Sequence, residues 1–255
     1  MSALRRVSLA VAPALALIFC VSPAAEATQP MQGMTDRSMG ALMGMDDAAP
    51  LGKFMLDQLE AEGGSGGTAT AWDAQAWYGG DYDKVWLKSE GSPDPADQDT
   101  SRNELLWDHA LTRWWDLQTG VRYDLSHGPA RGWAALGIQG LAPYWFEVEA
   151  TLYVGEAGRT AARVRLEHDL AFSQRLFLQP EFETDLYGKS DPARAVRSGL
   201  SDLQLGLRLR YEVRREFAPY VGVAWRRTVA ATLKPPGPTT PADSVVWVAG
   251  FHVWL

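Results

Sequence analysis

The sequence predicts an all-β protein: an antiparallel, up-and-down transmembrane β-barrel of twelve strands with a flexible N-terminal arm. Three observations carry this expectation. Apolar and polar residues alternate over segments of about ten residues, the length of a tilted strand that crosses a bilayer. Short connections alternate with longer ones along the chain. Aromatic residues gather at strand ends beside the short connections, where a membrane interface would lie.

The alternation is clearest between residues 144 and 170. Tyr144, Phe146, Val148, Ala150, Leu152 and Val154 are apolar, while Glu147, Glu149 and Thr151 between them are polar, which is the period of a strand whose faces meet different media. In the following strand Arg159, Arg163, Arg165, Glu167 and Asp169 share one face and Ala162, Val164, Leu166 and Leu170 the other. Charged face meets charged face across this hairpin only if the loop holds an odd number of residues. Glu156, Ala157 and Gly158 supply three, with Gly158 at the left-handed position, and Glu149 then lies opposite Arg165. A soluble barrel with an apolar interior has the same period, so the direction of the faces rests on targeting, strand count and aromatics.

Taken in order, residues 1–27 are expected to be a cleaved secretory signal: Arg5 and Arg6 precede an apolar run, and Ala25-Glu26-Ala27 forms a small-residue cleavage site. A lipoprotein reading would use Cys20, but Phe19 is bulky where such a signal needs a small residue. Loss of Arg5, Arg6 and Glu26 takes the 24 basic and 31 acidic residues to 22 and 30, a net charge of −8 with histidines neutral. That balance argues against nucleic acid as a partner. Cys20 is the only cysteine, so the mature chain holds no disulfide, thiolate metal site or cysteine nucleophile. Export without a later membrane-helix run leaves the periplasm or the outer membrane.

Residues 28–52 show no strand or helix period and are expected to form the flexible arm, with the barrel spanning 53–255. Strands are expected at 53–62, 69–78, 82–90, 102–111, 115–125, 132–141, 144–154, 159–170, 175–187, 200–213, 217–227 and 244–255. An even count puts both termini in the periplasm, and it closes only if 53–62 is a strand. Connections near Gly80, Arg113, Ala142, Ser173 and Arg215 are short; those at 91–101, 126–131, 188–199 and 228–243 are mostly longer. Trp114, Trp115, Tyr144, Trp145, Phe217 and Tyr220 are the expected girdle on the short-turn side. The final strand sets Trp247, Ala249, Phe251, Val253 and Leu255 on one face. Gly63-Gly64-Ser65-Gly66-Gly67 has the spacing of a hydrolase elbow but lacks the strand-to-helix context that motif needs.

The inward face is dense in charge: Glu147, Glu149, Arg163, Arg165, Glu167, Glu181, Glu183, Asp185, Asp202, Arg208, Arg210 and Glu212. Mixed signs on neighbouring strands fit a cross-strand ladder that braces the barrel, and a polar permeation path or a metal relay would use the same residues. His109, His127, His168 and His252 are single and far apart, without zinc-hydrolase spacing, and His127 is the best external candidate among them. No nucleophile and histidine stand together, so the chain is not expected to be an enzyme. Methionine is distributed differently. Met31, Met34, Met39, Met43 and Met45 crowd the arm, Met55 follows, and no methionine occurs after it. Thioethers are soft, uncharged donors that suit Cu(I) or Ag(I), so these five are the candidate metal ligands; the alternative is a disordered tail that merely contains methionine, or an apolar partner-binding patch.

The strings WDAQAWYGGDYDKVWLKSEG (72–91), WDLQTGVRYD (115–124), GIQGLAPYWFEVEATLYVGEAGRTAARVRLEHDL (137–170), LQPEFETDLYGKSDP (178–192) and GLSDLQLGLRLRYEVRREFAPYVGV (199–223) resemble the copper resistance protein B (CopB) family of outer-membrane proteins. The resemblance runs from Asp57 to the C-terminus and implies an outer-membrane barrel serving copper tolerance, with methionine-rich N-terminal copper binding. Family arms often mix methionine with histidine, whereas residues 28–71 here hold none, which favours Cu(I) over Cu(II). The expected partners are outer-membrane lipid, copper ions and periplasmic copper-handling proteins. The rival reading is a general porin whose arm is incidental.

Overall fold

The computed structural model describes residues 49–64, 67–92, 100–125, 129–194, 196, 198–228 and 243–255. The signal region 1–27, most of the arm and the loop 229–242 lie outside them. The described strands are β1 Leu51–Gly64, β2 Gly67–Gly79, β3 Asp83–Ser92, β4 Thr100–Ala110, β5 Trp115–Leu125, β6 Arg131–Ala142, β7 Phe146–Gly155, β8 Arg159–His168, β9 Leu170–Ala171, β10 Leu176–Tyr187, β11 Gly199–Tyr211, β12 Phe217–Thr228 and β13 Asp243–Trp254.

Each strand pairs antiparallel with its neighbour, and β13 pairs with β1, so the sheet closes on itself. β8 and β9 are one stave: β10 pairs with β9 and then with β8 in a continuous register, 178 with 170 and 181 with 167. Pro180 falls opposite His168, the last residue of β8, and has no N–H to give. The closed barrel therefore has twelve staves, and β1 is the stave on which the parity depends.

The two faces have the chemistry expected of a membrane barrel. Leu152 is 61% exposed and Trp247 72% exposed, with Leu205, Leu207, Val121 and Leu136 also on the outer surface. Glu60, Arg122, Arg163 and Arg208 are buried in the interior. A strand satisfies its backbone only against another strand, and closure removes the last free edges, which is what hydrocarbon requires.

The short turns are built by side chains that take up orphan amides. Thr112 Oγ1 accepts from the N–H groups of Trp114 and Trp115 at 3.2 and 3.1 Å, and Ser173 Oγ does the same for Arg175 and Leu176. Between β6 and β7 the chain turns through Pro143–Trp145, so the strand expected from Tyr144 starts at Phe146. Tyr144 and Trp145 both have positive φ, at 66° and 64°, and both side chains are exposed. Trp145 meets Trp114 edge-on at 6.1 Å. Trp114, Tyr144, Trp145 and Phe217 are exposed at this end as a girdle requires, joined by Tyr78, Tyr82 and Phe172. Tyr220 is a correction: it is buried inside the barrel, because its position on β12 shares the inward face with Ala218 and Ala224. The hairpin from β7 to β8 has the expected three-residue loop, with Ala157 as well as Gly158 at positive φ.

Candidate functional site

The lumen is crossed by ion pairs at several heights. Arg208 on β11 sends Nε to Glu60 Oε2 at 3.1 Å on β1, Nη2 to Gln58 Oε1 at 3.1 Å and Nη1 to Glu181 on β10. Tyr220 donates its hydroxyl to the same Glu60 carboxylate at 3.1 Å. The space for this cluster comes from glycine: a Cβ on Gly250 would stand 2.8 Å from the Tyr220 oxygen and 2.4 Å from the Leu59 carbonyl. Arg165 on β8 reaches across to Asp73 on β2 at 2.6 Å, and Arg163 reaches Glu90 on β3 and Glu183 on β10, the latter at 2.8 Å. Arg102 on β4 meets Asp185 on β10 at 3.2 Å, and Tyr153 on β7 donates to Glu104 on β4 at 2.8 Å.

Glu149 and Arg165 are opposite each other across β7 and β8, as the loop parity requires. They are not each other's ion partners. Glu149 pairs with Lys88 on β3 at 2.9 Å, and Lys88 also donates to Gln118 and Gln139. Glu149 with Lys88 and Arg165 with Asp73 thus reach across the lumen, while Arg163 with Glu183 and Arg208 with Glu181 pair between neighbouring staves. Of the charges expected inward, Asp202 is exposed next to Ser201, where the register of β11 shifts, and Glu212 lies beyond the end of β11. Glu60, Glu62, Arg122, Asp124 and Arg226 are lumen residues that the sequence reading did not single out.

At the long-loop end, the segment after β10 is tied back to the barrel by ion pairs. Asp191 accepts from Arg131 Nε at 2.9 Å and meets Arg159 at 3.4 Å, and Arg194 Nη1 reaches Asp124 at 3.3 Å. Desolvation works against the charged form of Asp191, but the hydrogen bond and charge of Arg131, with Arg159, outweigh it and hold its carboxyl below the usual range.

Met31, Met34, Met39, Met43, Met45 and His127 lie outside the described residues. His109 stacks on Trp107 at the short-turn end and pairs with Asp83, and His168 stacks on Phe146 on the outer surface, so both have structural partners. His252 faces inward beside Asp57. Among the described residues no group of three or more His, Cys, Asp or Glu is placed to hold a metal ion. The elbow-like glycines belong to an antiparallel hairpin, with Gly64 paired to Gly67, and no helix follows.

A closed barrel with an apolar exterior and a lumen crossed by ion pairs is a membrane barrel of the outer-membrane class. Residues 51–255 match the family model for Copper resistance protein B precursor (CopB). The chain is 41% identical over 237 residues to Copper resistance protein B of Escherichia coli, covering 90% of this chain and 80% of that protein. It is also 41% identical over 214 residues to the Copper resistance protein B homolog of Pseudomonas syringae pv. tomato, covering 82% and 73%. The chain belongs to the copper resistance protein B family, which ties it to copper resistance. Among solved structures, the KdgM porin aligns with a TM-score of 0.48 at 10% identity over 79% of this chain and 98% of that one. The NanC porin aligns at 0.46 and 8% identity, over 80% and 99%.

Proposed function

We propose that this protein lowers copper toxicity as an outer-membrane barrel whose N-terminal arm binds Cu(I) through Met31, Met34, Met39, Met43 and Met45. It sequesters the ion or passes it outward. The observation that carries this reading is the distribution of methionine: five in the arm, and only Met55 in all of the barrel. Filling a core does not account for that bias, whereas soft-donor chemistry does. The arm holds no cysteine and no histidine, so thioether sulfur is its only soft donor.

β1 begins and β13 ends at the short-turn end, which in barrels of this kind is the periplasmic one, and this supports a periplasmic arm. There it meets copper before the ion reaches the inner membrane, and periplasmic copper-handling proteins are the natural delivery partners. The barrel supplies attachment to the outer membrane through its apolar exterior. Its ion-paired lumen weighs against a general porin, and no catalytic step is assigned.

The test replaces all five methionines by leucine, which keeps apolar bulk and removes the donors. The variant is expected to insert normally, to lose most Cu(I) affinity in the arm and to leave cells more sensitive to copper. Full tolerance with unchanged arm affinity would remove the chemical basis of this reading. Because thioethers carry no proton to lose, arm affinity is expected to stay flat between about pH 5 and 8, where histidine ligands titrate.

A further inference from the structure

Met55 is the single methionine of the barrel, and it faces inward, packed against the aromatic cluster around Trp86 with Trp77. Two residues on, β1 carries a bulge. Its register against β13 jumps from Leu56–Val253 to Leu59–Phe251, so Asp57 and Gln58 together stand against the one residue His252. The register against β2 shifts at the same place. A bulge re-aims side chains, and this one sets Asp57 and His252 against each other.

His252 Nδ1 faces two acceptors, the Asp57 carbonyl at 3.4 Å and the Asp57 carboxylate at 3.6 Å. Neither can donate, so the neutral tautomer that hydrogen-bonds here carries its proton on Nδ1 and its lone pair on Nε2. Among the described residues Nε2 has no hydrogen-bond partner. Asp57 is itself held: Gln75 Nε2 donates to its carboxylate, and Trp86 Nε1 donates to Gln75 Oε1 at 3.0 Å. An imidazole oriented through one nitrogen by a backbone carbonyl, with a carboxylate beside it and the other nitrogen free, is an arrangement that metal-binding histidines use. Met55 pairs with Trp254 on β13, which makes Met55 and His252 diagonal neighbours, about 7–8 Å apart at the backbone, a separation that long side chains can span.

We propose that Met55 Sδ and His252 Nε2 form a two-donor site for a soft monovalent cation inside the barrel, with Asp57 and Gln75 as positioning residues. The identity of the ion, Cu(I), rests on the function proposed above; the site itself rests on the bulge and the imidazole orientation. One thioether and one imidazole make a low-coordinate site that a soft ion accepts and a hard divalent cation does not. That agrees with the lack of any carboxylate and histidine cage among the described residues.

The experiment uses the full-length protein, with folding checked by heat-dependent gel mobility and Cu(I) added under a competing chelator. The five-leucine arm variant is expected to retain a single copper ion, and adding Met55→Leu or His252→Gln is expected to weaken that binding at least tenfold. If the folded five-leucine variant retains no copper, the lumen site is wrong and the arm reading stands. If it retains copper as tightly as the parent, and Met55→Leu then removes it, the arm reading is wrong and the lumen site stands. Unchanged binding after both Met55→Leu and His252→Gln overturns the site. A second measurement leaves the lumen untouched: with methyl-13C methionine in the processed five-leucine variant, Met55 gives the one methionine resonance, and Ag(I) is expected to shift it. A resonance that stays in place at saturating Ag(I) also overturns the proposal.

Discussion

Arg208 illustrates what a charge costs inside this barrel. It is 2% exposed and is held by Glu60, Glu181 and Gln58 from two other staves. Removing one partner leaves the others buried without compensation, which costs about 3–5 kcal/mol. Arg208→Met is therefore expected to lower unfolding stability in lipid vesicles by about that amount. Adding Glu60→Gln and Glu181→Gln is expected to recover most of the loss, and a triple variant no more stable than the single one would contradict this account. The charged face at Arg208 and Glu181 was legible, because alternation labels it directly. Which charges meet was not. Glu149 and Arg165 are opposite in sequence register, yet each leans to another wall, since pairing across a lumen depends on how narrow the closed barrel is. Tyr220 was misplaced for a related reason: an aromatic near a strand end looks like a girdle residue until the parity of its own strand places it inside.

Among elements, the segment after β10 makes the most specific prediction. Asp191 ties this segment to β6 and β8 through Arg131 and Arg159. Its carboxyl is held below the ordinary range, so the stabilisation it supplies is complete above its unfolded pKa of about 3.9 and is lost as pH falls through the lower folded value. Between neutrality and about pH 5 the tie is expected to hold steady. Asp191→Asn is expected to release it at neutral pH, seen as faster tryptic cleavage at Arg194 in the intact barrel. Equal cleavage in parent and variant would show that the tie does not restrain the segment. Strand positions were readable to within two or three residues. The bulge at Asp57 was not, because a bulge shows in sequence only as a change of parity, and one polar residue beside Gln58 does not announce which side it faces. The turn at Pro143–Trp145 was also hidden, since Tyr144 continues the strand's period although its φ is positive.

For the whole molecule, ion pairs from β8 to β2 and β3, and from β4 to β10, cross the barrel. Purified protein in planar bilayers is accordingly expected to show small conductance, and a large, steady, weakly selective conductance would favour a porin. The fold and the family were legible from targeting, alternation and long shared strings. The lumen site was not, because it joins Met55 to His252 from the opposite end of the chain, and only closure of β13 on β1 brings them together. The central claim is that sulfur binds the copper. Its most direct test is the copper-edge X-ray absorption spectrum of the full-length protein loaded with Cu(I). A first shell dominated by sulfur, falling to a minor mixed sulfur and nitrogen signal when the five arm methionines become leucine, is the predicted result; a nitrogen and oxygen shell that the same substitutions leave unchanged would contradict it.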